Sequence, residues 1–198
     1  NGLSYVTEAA ADTPRNYFFH ARKGNFLFDQ GKTKEALECY NTAISLHNIK
    51  AQVFNDRANV YVTLNKKKEA IADYTKAYEL GKNPQFIFFR CQAYNRFNDV
   101  ENAFKDLMFL QECCRDLIPV GLEQEIIAKM TMKRFDDLNK LIEKEPNNAL
   151  LYVNRAKFYV DARRGPEALA DLKKACELEP KNKLYKGYYN ELNSSFPH

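Results

Sequence analysis

Apolar residues recur along this chain at helical spacing and, on a longer scale, about every 34 residues. Within each set, four apolar or small side chains are separated by four, three and three residues. This spacing places them on one face of an α-helix. The sets begin at Ala36, Ala70, Ala103 and Ala168, where the last interval of 65 residues is close to two periods.

A second helical stripe precedes each set, and a turn residue separates the two. Each earlier stripe has a small residue followed three positions later by Leu or Tyr, and the small residues are Gly24, Ala58, Cys91 and Ala156. Between the stripes stand Gly31, Asn65 and Asn98. Glycine and asparagine adopt positive φ most readily and so end one helix before the next. Each repeat is therefore predicted to be a helix, a tight turn and a second helix.

The pattern predicts an all-α array of about five helical hairpins in one domain, 17–193. The expected repeats are 17–50, 51–83, 84–117, 118–148 and 149–182. The fourth is degenerate, because Arg134 stands where the others have alanine. A capping helix over 182–193 should cover the last hairpin, since an exposed apolar face must be buried. Residues 1–16 are expected to be an extension or linker, and 194–198 a tail.

Composition narrows the class of protein further. Only 7 Gly and 7 Pro occur in 198 residues, which favours long helices over a sheet-rich fold. No stretch of about 18 apolar residues occurs, so no membrane span is predicted. Five cysteines without C-x-x-C spacing favour reduced thiols and a cytoplasmic location.

These residues resemble the tetratricopeptide repeat (TPR) family over roughly residues 17–193. The small residue of the first helix, the aromatic or leucine three positions later and the alanine opening the second helix are its pattern. The family's usual tryptophan is absent, and its position is taken by His20, Phe54, Ile87 and Tyr152. The resemblance implies a right-handed superhelical solenoid whose first helices line a concave groove. It also implies a scaffold or adaptor that binds an extended peptide or a helix of another protein.

The sequence contains no minimal constellation for catalysis or metal binding. No H-E-x-x-H, G-x-S-x-G or Walker motif occurs, so neither an enzyme nor a cofactor or metal site is predicted. One alternative is the interaction module of a larger enzyme or multiprotein complex. Another is an RNA-binding helical repeat. The net charge of +4 is mixed, and the groove positions carry no basic stripe, so nucleic acid is not the expected partner.

The candidate binding residues follow from the groove that the resemblance implies. Amides stand next to the small residue in three repeats, and further amides, aromatics and an arginine lie near them. Amides can pair with the backbone of an extended peptide, and aromatics and arginine often anchor a partner. The alternatives are that the amides brace a neighbouring helix and that the phenylalanines are core residues. The candidates are Asn25, Asn55, Asn59, Phe88, Phe89, Gln92, Asn95 and Arg96.

Chaperone-adaptor TPR proteins are a subclass that this chain does not match well. They hold the terminal carboxylate of a chaperone tail with Lys, Asn and Arg side chains. Carried over position by position, that set falls on Ala21, Asn25, Asp56, Gln85 and Phe89, so only Asn25 keeps the residue. Asp56 would repel a carboxylate. The chain is therefore not expected to bind chaperone tails through a carboxylate clamp.

Overall fold

The computed structural model describes residues 16–46 and 50–195, and these form helices and the short segments that join them. Residues 1–15 of the predicted extension and 196–198 of the predicted tail lie outside the described residues. A 3-10 turn, Arg115–Leu117, precedes the longest helix. The ten α-helices of the described residues are α1 (Tyr17–Asp29), α2 (Thr33–Ser45), α3 (Ala51–Thr63), α4 (Lys67–Gly81), α5 (Pro84–Arg96), α6 (Val100–Cys113), α7 (Val120–Lys144), α8 (Ala149–Asp161), α9 (Gly165–Leu178) and α10 (Lys183–Ser194).

The chain divides into two compact units, residues 1–127 and 128–198. The first unit contains the hairpins α1–α2, α3–α4 and α5–α6 and the beginning of α7. The second contains the remainder of α7, the hairpin α8–α9 and helix α10. The all-α array of helical hairpins is confirmed, and one continuous domain over 17–193 stays a prediction.

The hairpin turns depend on single residues with positive φ. Gly31, Asn65 and Asn98 have φ values of 76°, 57° and 56°, as the sequence predicted. After each, the next N–H donates to the carbonyl five residues earlier, which closes the end of the first helix. Arg163 occupies the same place in the α8–α9 hairpin with φ of 56°. Arginine gives no signal for this conformation, so sequence reasoning did not find that turn.

The degenerate fourth repeat, 118–148, differs from the expected hairpin. Its residues from Val120 to Lys144 form one uninterrupted helix of 25 residues. Gly, Pro and Asn are all absent from residues 122–138, so nothing there favours the positive φ that ends a first helix. The stretch accordingly continues as α7 instead of turning.

Small side chains let the two helices of each hairpin approach closely. The small residue of the first helix is buried in all four hairpins, and the alanine that opens the second helix is wholly buried. The buried thiol of Cys91 donates to the Ala103 carbonyl at 3.3 Å, which shows how near these helices lie. Gly24 has the tightest surroundings, because a Cβ there would lie 2.8 Å from Tyr40 Cε1.

An arginine in the first helix ties each of three hairpins to the preceding helix. Arg57 donates to both carboxylate oxygens of Asp73 at 2.7 and 2.8 Å and to Asn41 Oδ1 of α2 at 2.8 Å. One side chain therefore joins α2, α3 and α4. The same arrangement is repeated by Arg90 with Asp106 and Thr75, and by Arg155 with Asp171 and Asn139.

Helix α10 covers the last hairpin, as the expected capping helix over 182–193 should. The Asn182 side chain caps its first turn by accepting from the Leu184 and Tyr185 N–H groups. Tyr185 is buried in the core of the second unit, whereas Leu184 and Tyr188 of the predicted stripe are exposed. The covering face is thus narrower than the sequence suggested.

Two glycine substitutions test the close approach of α1 and α2. Gly24→Ala should lower the free energy of unfolding by about 1 to 3 kcal/mol, because the added methyl group displaces the buried ring of Tyr40. Gly187→Ala, inside α10 with no atom near its Cβ position, should raise it by about 0.5 to 1 kcal/mol. Urea unfolding followed by circular dichroism measures both. Equal stabilisation by the two changes would contradict the packing of Tyr40 on Gly24.

Candidate functional site

Two of the predicted amides are held by tyrosines of the following helix. The Tyr40 hydroxyl donates to Asn25 Oδ1 at 2.7 Å, and the Tyr74 hydroxyl donates to Asn59 Oδ1 at 2.6 Å. Each bond uses the carbonyl oxygen of the amide and leaves its Nδ2 as a donor. We call these two arrangements the tyrosine–asparagine pairs. In the third and fourth hairpins the tyrosine position is taken by leucine, at Leu107 and Leu172.

Asp56 lies close to both tyrosine–asparagine pairs. Burial is the main cause that raises the pKa of the Tyr40 and Tyr74 hydroxyls, and the Asp56 carboxylate adds to it in both. This half-buried carboxylate accepts from Gln52 Nε2 at 2.8 Å and from Asn55 Nδ2 at 3.3 Å. Burial raises the pKa of Asp56 and outweighs the opposing effect of these two hydrogen bonds.

Asn55 was predicted to extend the row of exposed amides but is buried. Only 3% of its surface is exposed. Its Nδ2 donates to Asp56, while its Oδ1 is buried and accepts no hydrogen bond from any residue of the described segments. Most buried polar atoms have a partner, so this oxygen is an exception that calls for a physical explanation.

The two phenylalanines are neighbours on α5, with ring centroids 5.6 Å apart, and they pack against different residues. Phe89 stacks on Tyr74 with ring centroids 6.4 Å apart, so it adjoins the second tyrosine–asparagine pair. Phe88 packs against the core cluster of the third hairpin, which includes Ile87 and Ile126. Both side chains are half-buried. Phe89 borders the candidate site, and Phe88 belongs mainly to the core.

The remaining candidates on α5 divide into exposed and bound side chains. Gln92 and Arg96 are exposed. Asn95 is buried and donates from Nδ2 to Glu125 Oε1 of α7 at 3.1 Å. Its amide braces a neighbouring helix, which is the alternative that the sequence left open. Direct contacts join Asn25 to Tyr40, Asn55 to Asp56, and Asn59 and Phe89 to Tyr74, and the Asp56 carboxylate acts electrostatically on both tyrosines. Gln92 and Arg96 stand beyond this cluster.

Sequence reasoning missed the tyrosines that hold the amides. It assigned Tyr40 and Tyr74 to the core stripe because of their spacing, and their rings are indeed buried. The available signal was the coincidence of Asn and Tyr 15 residues apart in two repeats, against Gln92 with Leu107 in the third. This spacing distinguishes Asn25 and Asn59, which have a tyrosine partner, from Gln92, which has none.

The second unit has an open pocket of its own. It has a volume of about 340 Å³ and lies between α8, α9 and α10. Most of its lining is apolar, with Lys157, Asp161 and Glu191 as charged members. The residues that form it include Val153, Lys157, Val160, Leu172, Tyr188 and Leu192.

Metal ligands, reactive thiols and membrane-spanning helices can each be assessed for the described residues. No group of three or more His, Cys, Asp and Glu side chains in 16–46 and 50–195 is placed to hold a metal ion. All five cysteines are free thiols, and burial raises the pKa of Cys91 to about 12, which makes it a poor nucleophile. Among the helices of the described segments, none has the length and apolar character needed to cross a membrane.

Two family models match the chain within the first unit. One, described as a TPR repeat, matches residues 24–65, and the other, described as a tetratricopeptide repeat, matches residues 51–83. The matched residues contain both tyrosine–asparagine pairs. They also contain Asp56 and Asn55.

Among known proteins, the chain is similar to the mitochondrial import receptor subunit TOM70 of Mus musculus. The two are 33% identical over 141 residues, which are 67% of this chain and 21% of the receptor. The Hsp70-Hsp90 organizing protein of Triticum aestivum is 25% identical over 208 residues, covering 83% of this chain and 35% of that protein. The chain spans about a fifth of the length of the import receptors that it matches.

Solved structures of the same architecture cover nearly the whole chain. YrrB, described as a TPR protein with an unusual peptide-binding site, aligns with a TM-score of 0.56 and 19% identity over 93% of this chain and 97% of its own. A tetratricopeptide repeat protein from Parabacteroides merdae aligns with a TM-score of 0.57 and 23% identity, covering 96% and 80% of the two chains. These likenesses agree with the array of hairpins.

Two aspartates of the second hairpin should respond oppositely to loss of charge. The pKa of Asp56 is raised in the folded state, so its ionised form costs stability at neutral pH, and the cost disappears as the pH falls. Asp56→Asn should therefore keep or raise the free energy of unfolding at pH 7. Asp73→Asn should lower it by about 2 kcal/mol or more, because Arg57 loses its buried carboxylate.

Urea unfolding at pH 7 compares the two variants with the wild type. Glu79→Gln, which breaks an exposed ion pair with Lys76, is the control and should change the free energy of unfolding by less than about 0.5 kcal/mol. If Asp56→Asn is as destabilising as Asp73→Asn, then Asp56 has a stabilising role and the assignment is wrong.

Proposed function

Since the chain is a tetratricopeptide repeat protein, we propose that it is a non-catalytic scaffold or adaptor that binds a segment of another protein. The binding surface is the face formed by the first helices α1, α3 and α5. The observation that carries the proposal is the pair of amides, Asn25 and Asn59, held in equivalent positions of consecutive hairpins by Tyr40 and Tyr74.

The tyrosine–asparagine pairs suit a partner's peptide backbone. Each tyrosine fixes the amide orientation, so little side-chain freedom is lost when a partner binds. The free donor on each amide can then pair with a backbone carbonyl, and an extended segment offers such carbonyls at regular intervals. An extended peptide therefore fits this surface better than a helix, whose carbonyls are already bonded within it.

Residues around the pairs supply contact area and further polar groups. Phe89, half-buried and stacked on Tyr74, offers an aromatic edge next to the second pair. Gln92 and Arg96 are exposed on the adjacent helix α5. Aromatic residues and arginine contribute much of the binding energy at protein interfaces, which makes Phe89 and Arg96 the proposed anchors.

Binding of an acidic chaperone tail through a carboxylate clamp does not form part of this proposal. At the positions that correspond to the clamp, the chain has Asp56 and Phe89 in place of polar or basic residues. The Asp56 carboxylate, which accepts from Gln52 Nε2 and Asn55 Nδ2, would repel a terminal carboxylate.

A reducing compartment suits the five free thiols, so we place the protein in the cytoplasm. Its action there rests on binding alone. The groups gathered in the first unit are amides, tyrosines and one carboxylate, and the histidine, cysteine or paired carboxylates typical of general acid–base or nucleophilic catalysis do not adjoin them.

The test is a selection of binding peptides followed by affinity measurements. A random library of displayed 12-residue peptides is selected on the wild-type chain, and the selected peptides are measured by fluorescence anisotropy. Gln92→Ala with Arg96→Ala should weaken binding by about tenfold or more, because exposed contacts are lost. Tyr74→Phe with Asn59→Ala removes both ends of one hydrogen bond while keeping the ring that stacks on Phe89, and should also weaken binding.

Lys76→Ala with Glu79→Ala is the matched control, since it removes an exposed ion pair from the second helix α4. This variant should bind the selected peptides as the wild type does, with an unchanged melting temperature. The proposal fails if the first-helix variants keep full affinity. Loss of binding on changing Tyr188→Ala instead would place the partner at the pocket of the second unit.

A further inference from the structure

We infer that Asp56 and Asn55 form a subsite for a lysine or arginine side chain of the bound partner. The inference rests on the proposed function, because it concerns the same first-helix surface. The inference requires a lysine or arginine at one position of the partner, whereas the proposed function requires only an extended backbone.

Asp56 is unusual among the shielded aspartates because it has no cation. Gln52 and Asn55, both neutral amides, supply its hydrogen bonds, and both bonds go to Oδ1. No lysine or arginine of the described segments forms an ion pair with it. The other shielded aspartates are paired, as Asp73 with Arg57, Asp99 with Lys67, Asp106 with Arg90 and Asp171 with Arg155.

Asn55 provides the second and independent observation. Asn55 is buried, with 3% of its surface exposed. Its Oδ1 accepts no hydrogen bond from the described residues. Its amide lies against Asp56, with Nδ2 3.3 Å from Oδ1 of the carboxylate. Asn55 Oδ1 and the Asp56 carboxylate therefore both have room for further hydrogen-bond donors. A partner can supply those donors.

The chemistry of these atoms selects a cation. Lysine has three N–H donors and arginine has five, and neither has an acceptor that would meet the Asp56 carboxylate unfavourably. One such group can donate to Asp56 Oδ2, and Asn55 Oδ1, on the amide that bonds this carboxylate, is a further acceptor without a donor. A charge-assisted bond to a shielded carboxylate is stronger than one between neutral groups.

The surroundings of Asp56 place this subsite on the proposed binding surface. The carboxylate acts electrostatically on the hydroxyls of both Tyr40 and Tyr74, which hold Asn25 and Asn59. Phe89, half-buried and stacked on Tyr74, also offers apolar surface to the methylene groups of a long basic side chain. A peptide that pairs with the amides would therefore carry its basic residue over Asp56.

The experiment uses the displayed 12-residue library with the wild type and with Asp56→Asn. Peptides selected on the wild type should have Lys or Arg at one fixed position. Replacing that residue with norleucine should weaken binding to the wild type at least tenfold, and replacing it with Glu should abolish binding. Asp56→Asn should weaken the basic peptide by a similar factor and leave the norleucine peptide unaffected. The Asn55 side-chain amide signals in NMR spectra should shift on adding the basic peptide.

Asp116→Asn is the charge-matched control, because Asp116 is exposed on the 3-10 turn and its loss changes the net charge equally. It should bind every peptide as the wild type does. Equal weakening by Asp116→Asn, or equal affinity of the Lys and norleucine peptides, overturns the inference. If peptides without a basic residue are selected and still lose affinity for the Gln92 and Arg96 variant, only this inference fails. If no peptide is selected, the proposed function fails with it.

Discussion

The arginine that joins three helices is the interaction on which the arrangement of the hairpins depends. In addition to the close packing of Ala58 and Ala70, the two parallel bonds from Arg57 to Asp73 fix which side of α3 faces α4. The third bond, to Asn41, fixes the same helix against α2. Repetition of this bonding at Arg90 and Arg155 gives the α5–α6 and α8–α9 hairpins the same contact with the helix before them.

This bonding decides which polar groups of a first helix are left for a partner. The arginine side of α3 is occupied by its neighbours, so the amides that could bind a peptide stand elsewhere on the helix. On that part of the surface, Tyr40 and Tyr74 hold Asn25 and Asn59, and Asp56 lies near both tyrosines. Arg57 of α3 thus stabilises the fold, whereas Asp56 of the same helix is left for the proposed binding.

Most of the fold could be predicted because the size of the residues at each repeat position indicates where the helices pack closely. Small residues and positive-φ turn residues recur at a fixed interval, and only a few side chains satisfy those steric demands. The turn at Arg163 and the unbroken helix α7 could not be predicted in this way, since neither carries a distinctive residue. The candidate binding site was harder to predict than the fold. Exposure of Gln92 against burial of Asn55 depends on how successive hairpins stack, which spacing within a single helix does not determine.

The change from tyrosine to leucine between the second and third hairpins has an evolutionary consequence. Where tyrosine is present, the asparagine accepts its hydrogen bond within the hairpin and is also proposed to bind the partner. A new specificity there needs substitution of both residues. Gln92 and Lys157 are the equivalents of these asparagines, and leucine, at Leu107 and Leu172, takes the place of the tyrosine. A single substitution of Gln92 or Lys157 therefore breaks no such hydrogen bond. Under the proposed binding mode, we therefore expect a change of partner to need fewer substitutions in the later hairpins than in the first two.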